Sequence, residues 1–287
     1  MSEKMSYVNL GCGARYHPDW INFDIEPQGP GVIRADLSKG IPFPGSTADI
    51  VYHAAVLEHI RRADAPAFLA ECLRILRPGG VLRIGVPDLE EIATLYLQKL
   101  TNALAGDQQA AADYDWIMLE LLDQTVREQS GGAMLEYLKQ HTIPNEGFVL
   151  NRIGDEGRHL LNLLRTPAHP GIPIRSTLLQ RVKTRVKSLP GRAKLRLMNA
   201  VLSDEEKRAL SIGRFRIEGE VHQWMYDRFS LGRLLTACGF VDIRFHSSST
   251  SDIPQWEMFH LDVLPDGQLT KPDLFFAEAR KPESAVA

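Results

Sequence analysis

The chain has 287 residues, a formal net charge of −3, and 44% apolar against 24% charged residues. That is an ordinary globular composition, long enough for one α/β core with an insertion, and it excludes a molecule held to nucleic acid by its overall charge. Cys12, Cys72 and Cys238 are three in number and lack CxxC or His/Cys spacing, which argues for a reducing compartment and against a disulfide frame or a zinc site. No apolar run approaches the ~20 residues of a membrane span, and Met1 to Lys4 leave no room for a leader before the first strand, so a cytoplasmic protein is expected.

Val8-Asn9-Leu10 reads as a first strand that breaks into Gly11-Cys12-Gly13. Trp20 to Ile25 is a second apolar run ending on Asp24. A strand, a glycine turn opening a helix, and a second strand with a terminal carboxylate is how an open parallel sheet holds a nucleoside. The helix expected after Gly13 would offer free N–H groups to an anionic group of the ligand. A dinucleotide fingerprint is not met: position 16 is Tyr, and Asp24 follows Gly13 by only 11 residues instead of roughly 20. No Lys-Ser or Lys-Thr pair follows the glycines, so a P-loop is excluded and a ligand without phosphates fits better.

Val32 to Leu37 reads as a third strand edge, Pro42 to Gly45 as a loop, and Asp49 to His53 as a short buried strand. Phe68, Leu69, Cys72, Ile75 and Leu76 recur at helical spacing, and Pro78-Gly79-Gly80 stops that helix before a fifth strand at Val81 to Val86. Strands alternating with helices imply a parallel sheet. From Leu89 the pattern turns helical: Leu89, Ile92, Ala93, Tyr96, Leu97, Leu100 and Leu104 trace one face, and more helix is expected near 116–126, 134–138 and 160–164. Residues 91–220 therefore read as a helical insertion, with the core formed by 1–90 and 221–287. A helix at Leu231 to Cys238 and strands at Phe240 to Phe245 and Leu274 to Ala279 complete it.

These segments, in this order, resemble a class I S-adenosylmethionine-dependent methyltransferase of the type 11-like group. The matching pieces are Asn9 to Gly13, Trp20 to Asp24, Ala35-Asp36-Leu37, Val56 to His59, Leu76 to Gly80, Arg83 to Leu89, His222 to Asp227 and Gly239-Phe240, over roughly 7–90 and 220–280. The resemblance implies a Rossmann-like fold, a mostly parallel seven-stranded sheet with its last strand antiparallel, and S-adenosyl-L-methionine across the carboxyl ends of the strands. It places Gly11, Cys12 and Gly13 against the methionine part of that cofactor, Asp24 on the ribose hydroxyls with Ile25 beside it, and Asp36 on the adenine amino group with Leu37 next to the ring. It also places His53 near the methionine moiety. Asn9 stands where the group more often has an acid, so a charge contact from there to the cofactor's ammonium is not implied.

The acceptor atom would be an oxygen or nitrogen of a small molecule or a saccharide. A hydroxyl acceptor benefits from a general base. His222, interleaved with Trp224 and Tyr226, is the first choice, with His59 and Asp88 as further candidates. Each has a structural alternative: a buried histidine bonded to backbone for His222, helix-start packing for His59, and an N-cap with Glu91 completing a capping box for Asp88. Residues 174–196 carry eight basic residues and no acid, which leaves 25 basic against 36 acidic elsewhere. An amphipathic basic helix there suits a solvated face, a phosphorylated or lipid-linked acceptor, or an anionic membrane surface. No RNA-binding module accompanies it. Two rival classes are a non-catalytic nucleoside-fold scaffold that uses this helix for an anionic partner, and a nicotinamide-dependent oxidoreductase, disfavoured by Tyr16 and the short interval to Asp24.

Overall fold

The structure is a computed structural model that describes residues 5–166 and 201–283. The basic stretch at 174–196 lies outside the described residues. Seven strands form one sheet: β1 (Tyr7–Leu10), β2 (Ile21–Asp24), β3 (Val32–Arg34), β4 (Ala48–Ala54), β5 (Leu76–Pro87), β6 (Val241–His246) and β7 (Leu274–Arg280). Their order is β3-β2-β1-β4-β5-β7-β6. Strands β1 to β5 pair in parallel, whereas β7 runs antiparallel to both β5 and β6.

Alternation along β4 decides what covers each face. Val51 joins the cluster packed by α1 (Ala65–Ile75), which contributes Phe68, Leu69, Cys72 and Ile75, and by α7 (Arg228–Ala237), which contributes Leu231 and Leu235. Ile50 and Tyr52 face the other way, into an aromatic cluster of Trp20, Trp256, Phe276 and Phe259. That second face is roofed by the β1–β2 and β6–β7 connections. Arg83 of β5 is fully buried on it, and its guanidinium donates to Asp262 at 2.9 Å and to Glu278 at 2.5 Å.

The expected helix after Gly13 is absent: residues 11–20 are turns and irregular backbone. Pro18 interrupts this ten-residue connection, and two buried side-chain amides hold it open. Asn9 donates to the Arg15 carbonyl at 3.0 Å, and Asn22 donates to the His17 and Trp20 carbonyls at 2.9 and 2.8 Å. Carbonyls that a helix would pair internally are satisfied from the strands instead. The anion site predicted at a helix N-terminus therefore does not exist here. Among the described residues α1 is also the sole α-helix before Asp88, so the strand–helix alternation expected through residue 90 is mostly strand–loop. Pro78-Gly79-Gly80 does not stop α1, which ends at Ile75; it lies inside β5, where the register with β4 shifts between Ala48 and Ile50.

The region after β5 is helical: α2 (Leu89–Leu104), α3 (Gln108–Met118), α4 (Gly132–Leu138), α5 (Glu146–Arg165) and α6 (Asp204–Ile217). Ile92, Trp116, Ile117, Leu138, Val149 and Leu161 form its own core. A π-helical turn at Leu119–Asp123 turns Glu120 and Asp123 inward. Both are compensated: Glu120 by Arg152 and Trp116 Nε1, Asp123 by Arg127 and the N–H of Ala133. Gly154 bends α5 with φ +60, and a Cβ there would sit 2.4 Å from Pro272 Cδ, so only glycine lets this helix press on the segment leading into β7. No helix among the described residues is long and apolar enough to cross a membrane.

Candidate functional site

The carboxyl ends of β1, β2 and β4 meet at the glycine turn. Gly11 and Cys12 donate their N–H groups to the Phe23 carbonyl at 2.8 and 3.2 Å, which ties the turn to β2. Asp24 ends that strand and is nearly buried. One carboxylate oxygen accepts from Gly13 N at 2.8 Å, the other from Glu26 N at 2.7 Å. A carboxylate offers about four acceptor directions, so each oxygen keeps capacity for a further donor. Gly11 and Gly13 both have positive φ, at 66° and 52°, and a Cβ on Gly13 would meet nothing within 4 Å. The backbone there borders open space. Ile25 exposes an apolar side chain next to Asp24. At the end of β3, Asp36 accepts from Ser38 N at 3.2 Å and Ser38 Oγ at 2.6 Å, and these bonds, with Lys39, hold its carboxyl below the usual range. Leu37 packs against the helix-side core.

Cys12 is buried, and burial together with Asp24 pushes its thiol up to about 12, so it is no nucleophile. His53 is fully buried with its ring 5.2 Å from that of Phe68, on the helix side of the sheet, so none of its surface is open to a ligand. Among the described residues neither ring nitrogen finds a hydrogen-bond partner, and burial lowers its pKa to about 3. Because an unfolded histidine titrates near 6.5, the unfolded chain binds the extra proton between those values. Stability is therefore lost as pH falls below the unfolded value. Between pH 7 and 5 this one side chain is expected to remove about 2 kcal/mol. Urea unfolding at the two pH values checks it: the loss should shrink by that amount in His53→Leu, and an unchanged loss would contradict it.

A wall of the crevice follows β4. Val56 lies against Gly11: a Cβ on that glycine would be 2.6 Å from Val56 Cγ2. The next turn, Leu57–His59, carries Glu58 and His59. From the far side comes the chain that re-enters the core after α6. Gln223 N donates to the Glu58 carbonyl at 2.6 Å and His222 N to the Gln124 carbonyl at 2.9 Å. These bonds bring His222 over His59, with ring centroids 4.8 Å apart. Glu58 is fully buried, and among the described residues neither of its carboxylate oxygens has a hydrogen-bond partner. Burial pushes its carboxyl up to about 7, and burial with the nearby His59, Arg127 and Lys271 holds His222 well below its ordinary value. The Tyr226 hydroxyl, also buried without a partner among the described residues, is raised to about 12 by burial first and Glu58 second.

Lys271 and Asp273, just before β7, keep accessible surface although protein surrounds them, as side chains lining a concavity do. Lys271 pairs with Glu156 of α5 at 3.4 Å, and Arg15 of the glycine-turn loop pairs with Asp155 of the same helix. The helical segment thus reaches both sides of the crevice.

Of the three side chains predicted as bases, the structure brings His59 and His222 together and sets Asp88 apart. Asp88 caps α2, accepting from Glu91 N at 3.1 Å, and its other oxygen pairs with Arg228 at 2.8 Å. The capping box is only half formed, because Glu91 turns its carboxylate to Arg152 at 2.7 Å. Sequence reasoning missed Glu58 as a member of the site. Its signal was an acid directly before His59 and directly after a buried strand.

A sheet in the order 3-2-1-4-5-7-6 with an antiparallel seventh strand, a glycine turn after β1 and an acid closing β2, is the architecture of class I methyltransferases. Residues 10–84 match the family described as methyltransferase domain, so the α/β core carries a class I S-adenosylmethionine-dependent methyltransferase domain. A protein of Mycolicibacterium smegmatis described as a "Probable S-adenosylmethionine-dependent methyltransferase" is 32% identical over 98 residues, covering 28% of this chain and 37% of that protein. A ubiquinone biosynthesis O-methyltransferase of Parvibaculum lavamentivorans is 28% identical over 103 residues, covering 29% of this chain and 40% of that one. The matched stretch thus spans about two fifths of the length of either relative. A SAM-dependent methyltransferase structure from Archaeoglobus fulgidus aligns with 96% of this chain and 86% of its own, at 11% identity and a TM-score of 0.37.

Proposed function

We propose that this chain binds S-adenosyl-L-methionine in the crevice and transfers its methyl group to an oxygen or nitrogen of a small molecule or saccharide. The acceptor enters between the α/β core and the helical segment 91–220. One observation carries the reading: the nearly buried Asp24 carboxylate at the end of β2 faces the open glycine turn with acceptor capacity to spare. Two adjacent ribose hydroxyls are the donors that such a carboxylate suits. Ile25 supplies an exposed apolar side chain for the face of a base, and Asp36 an acceptor one strand further on.

The bound cofactor supplies an already activated methyl group. The protein's task is to align the acceptor behind it, an orientation worth up to ~7–11 kcal/mol in favourable cases. His222 is uncharged near neutrality because burial holds its pKa well down, so its ring can accept a proton from an acceptor hydroxyl. His59 stands beside it. Calorimetric titration with S-adenosylmethionine is expected to give one site of micromolar-range affinity, and methyl-labelled cofactor incubated with cell extract is expected to label a product. Absence of heat together with absence of label would remove the reading and favour a scaffold that carries the fold without the chemistry.

A further inference from the structure

Glu58, His59 and His222 each direct one ligand-type atom toward a common point, and these three atoms lie within 4.8 Å of one another. Glu58 is the unusual member. A fully buried carboxylate whose two oxygens find no donor among the described residues violates the rule that buried polar groups are paired. Lys271 acts on it through space but is bound to Glu156 and gives it no hydrogen bond. His222 is buried as well, and its Nδ1 has no partner among the described residues. A carboxylate and imidazole nitrogens that converge without donors between them are complementary to a cation.

The only other such cluster among the described residues provides the contrast. His246, Asp252 and Glu278 also lie close together, but Glu278 accepts from Arg83 at 2.5 Å, Ser251 Oγ at 2.5 Å and Asp252 N at 2.9 Å. Its charge is already compensated. The Glu58 cluster has no such compensation.

We infer that Glu58, His59 and His222 form a binding site for a first-row divalent cation of the zinc class at the mouth of the cofactor crevice. Two imidazoles and one carboxylate are a ligand set that suits such ions and leaves coordination positions open. Tetrahedral bonds of about 2.0–2.1 Å require ligand atoms roughly 3.3 Å apart, so the trio closes by about an ångström or more through side-chain rotation on binding. The open positions take an oxygen ligand, and a hydroxyl held there releases its proton to water more readily than in solution. Resting on the proposed methyl transfer, this points to a hydroxyl-bearing acceptor. Val56, three residues before His59, touches the glycine turn, which puts the ion and the cofactor site on one crevice.

The test is calorimetric titration of the untagged, chelator-treated full chain with zinc chloride, followed separately by titration with S-adenosylmethionine. One equivalent of zinc is expected to bind. Glu58→Gln and His222→Asn are expected to lose more than the ~10–100-fold in affinity that removal of a mere outer partner costs. His246→Gln, in the compensated cluster, is expected to bind zinc as the parent does. Cobalt chloride provides a readout independent of folding changes: its visible absorption bands should appear in the parent and be altered in Glu58→Asp, whose shorter carboxylate still reaches for the ion. The inference is overturned if the parent binds no zinc, if Glu58→Gln binds like the parent, or if His246→Gln abolishes binding. Zinc binding without cofactor binding would sink the methyltransferase reading and leave the ion site standing; cofactor binding without zinc would do the reverse.

Discussion

Replacing Asp24 with alanine is expected to weaken S-adenosylmethionine binding by ~10²–10⁴-fold. Two hydrogen bonds from ribose hydroxyls to a charged acceptor contribute about 1.5–3 kcal/mol each, and no neighbouring side chain can take them over. The variant also frees the N–H groups of Gly13 and Glu26, which Asp24 holds at 2.8 and 2.7 Å. Losing that turn anchor costs about 1–2 kcal/mol of stability, too little to unfold a domain of ordinary stability. Asp24→Asn separates the two effects, since its remaining oxygen still accepts one bond while the charge is gone. Calorimetric affinity measured beside the unfolding midpoint decides: a variant that unfolds normally and binds the cofactor like the parent would contradict the assignment.

The second large effect concerns stability alone. Arg83→Met is expected to cost about 3–5 kcal/mol, because it strands two buried carboxylates. Asp262 would keep its bonds from Tyr52 Oη at 2.6 Å and Trp256 Nε1 at 2.8 Å, but Glu278 would lose its one cationic donor at hydrogen-bond distance. The guanidinium also lies over the Trp256 and Phe276 rings, at 4.9 and 4.3 Å from their centroids, so part of the roof over this face of the sheet loosens with it. Adding Glu278→Gln to Arg83→Met should recover part of the loss, as removal of one uncompensated charge requires. Denaturant unfolding of the single and double variants measures both. A single-variant loss below ~1 kcal/mol would show that these carboxylates are solvated or protonated at little cost.

The strands were legible because most of this sheet is buried on both faces, so short apolar runs bounded by Gly, Pro and Asp mark them clearly. The missing helix after Gly13 was not legible. Whether ten residues coil or loop depends on Asn9 and Asn22, whose amides bind loop carbonyls only once β1 and β2 are paired. The roof of the second face was equally hidden, since Trp20 and Trp256 come from connections that carry no periodicity. Arg83 looked like an interruption in a buried strand; its partners Asp262 and Glu278 lie far along the chain.

The site divides the same way. Gly11, Gly13 and Asp24 declared themselves through local order, because a turn and a strand end are local objects. The meeting of His59 with His222 rests on the Gln223–Glu58 backbone bond, a contact across the whole helical segment. Spacing rules for metal ligands look for neighbours in sequence, so Glu58 and its two histidines escape them. Asp88 shows the opposite case, an acid at the right edge of the sheet whose oxygens are taken by a helix cap and by Arg228.

A crystal structure of the chain grown with S-adenosylhomocysteine tests the central claim most directly. It is predicted to show both ribose hydroxyls on the Asp24 carboxylate, the backbone at Gly13 against the amino-acid tail and Ile25 against the base. An adenosyl group bound elsewhere, or a glycine turn filled by the protein's own side chains at saturating ligand, would contradict it.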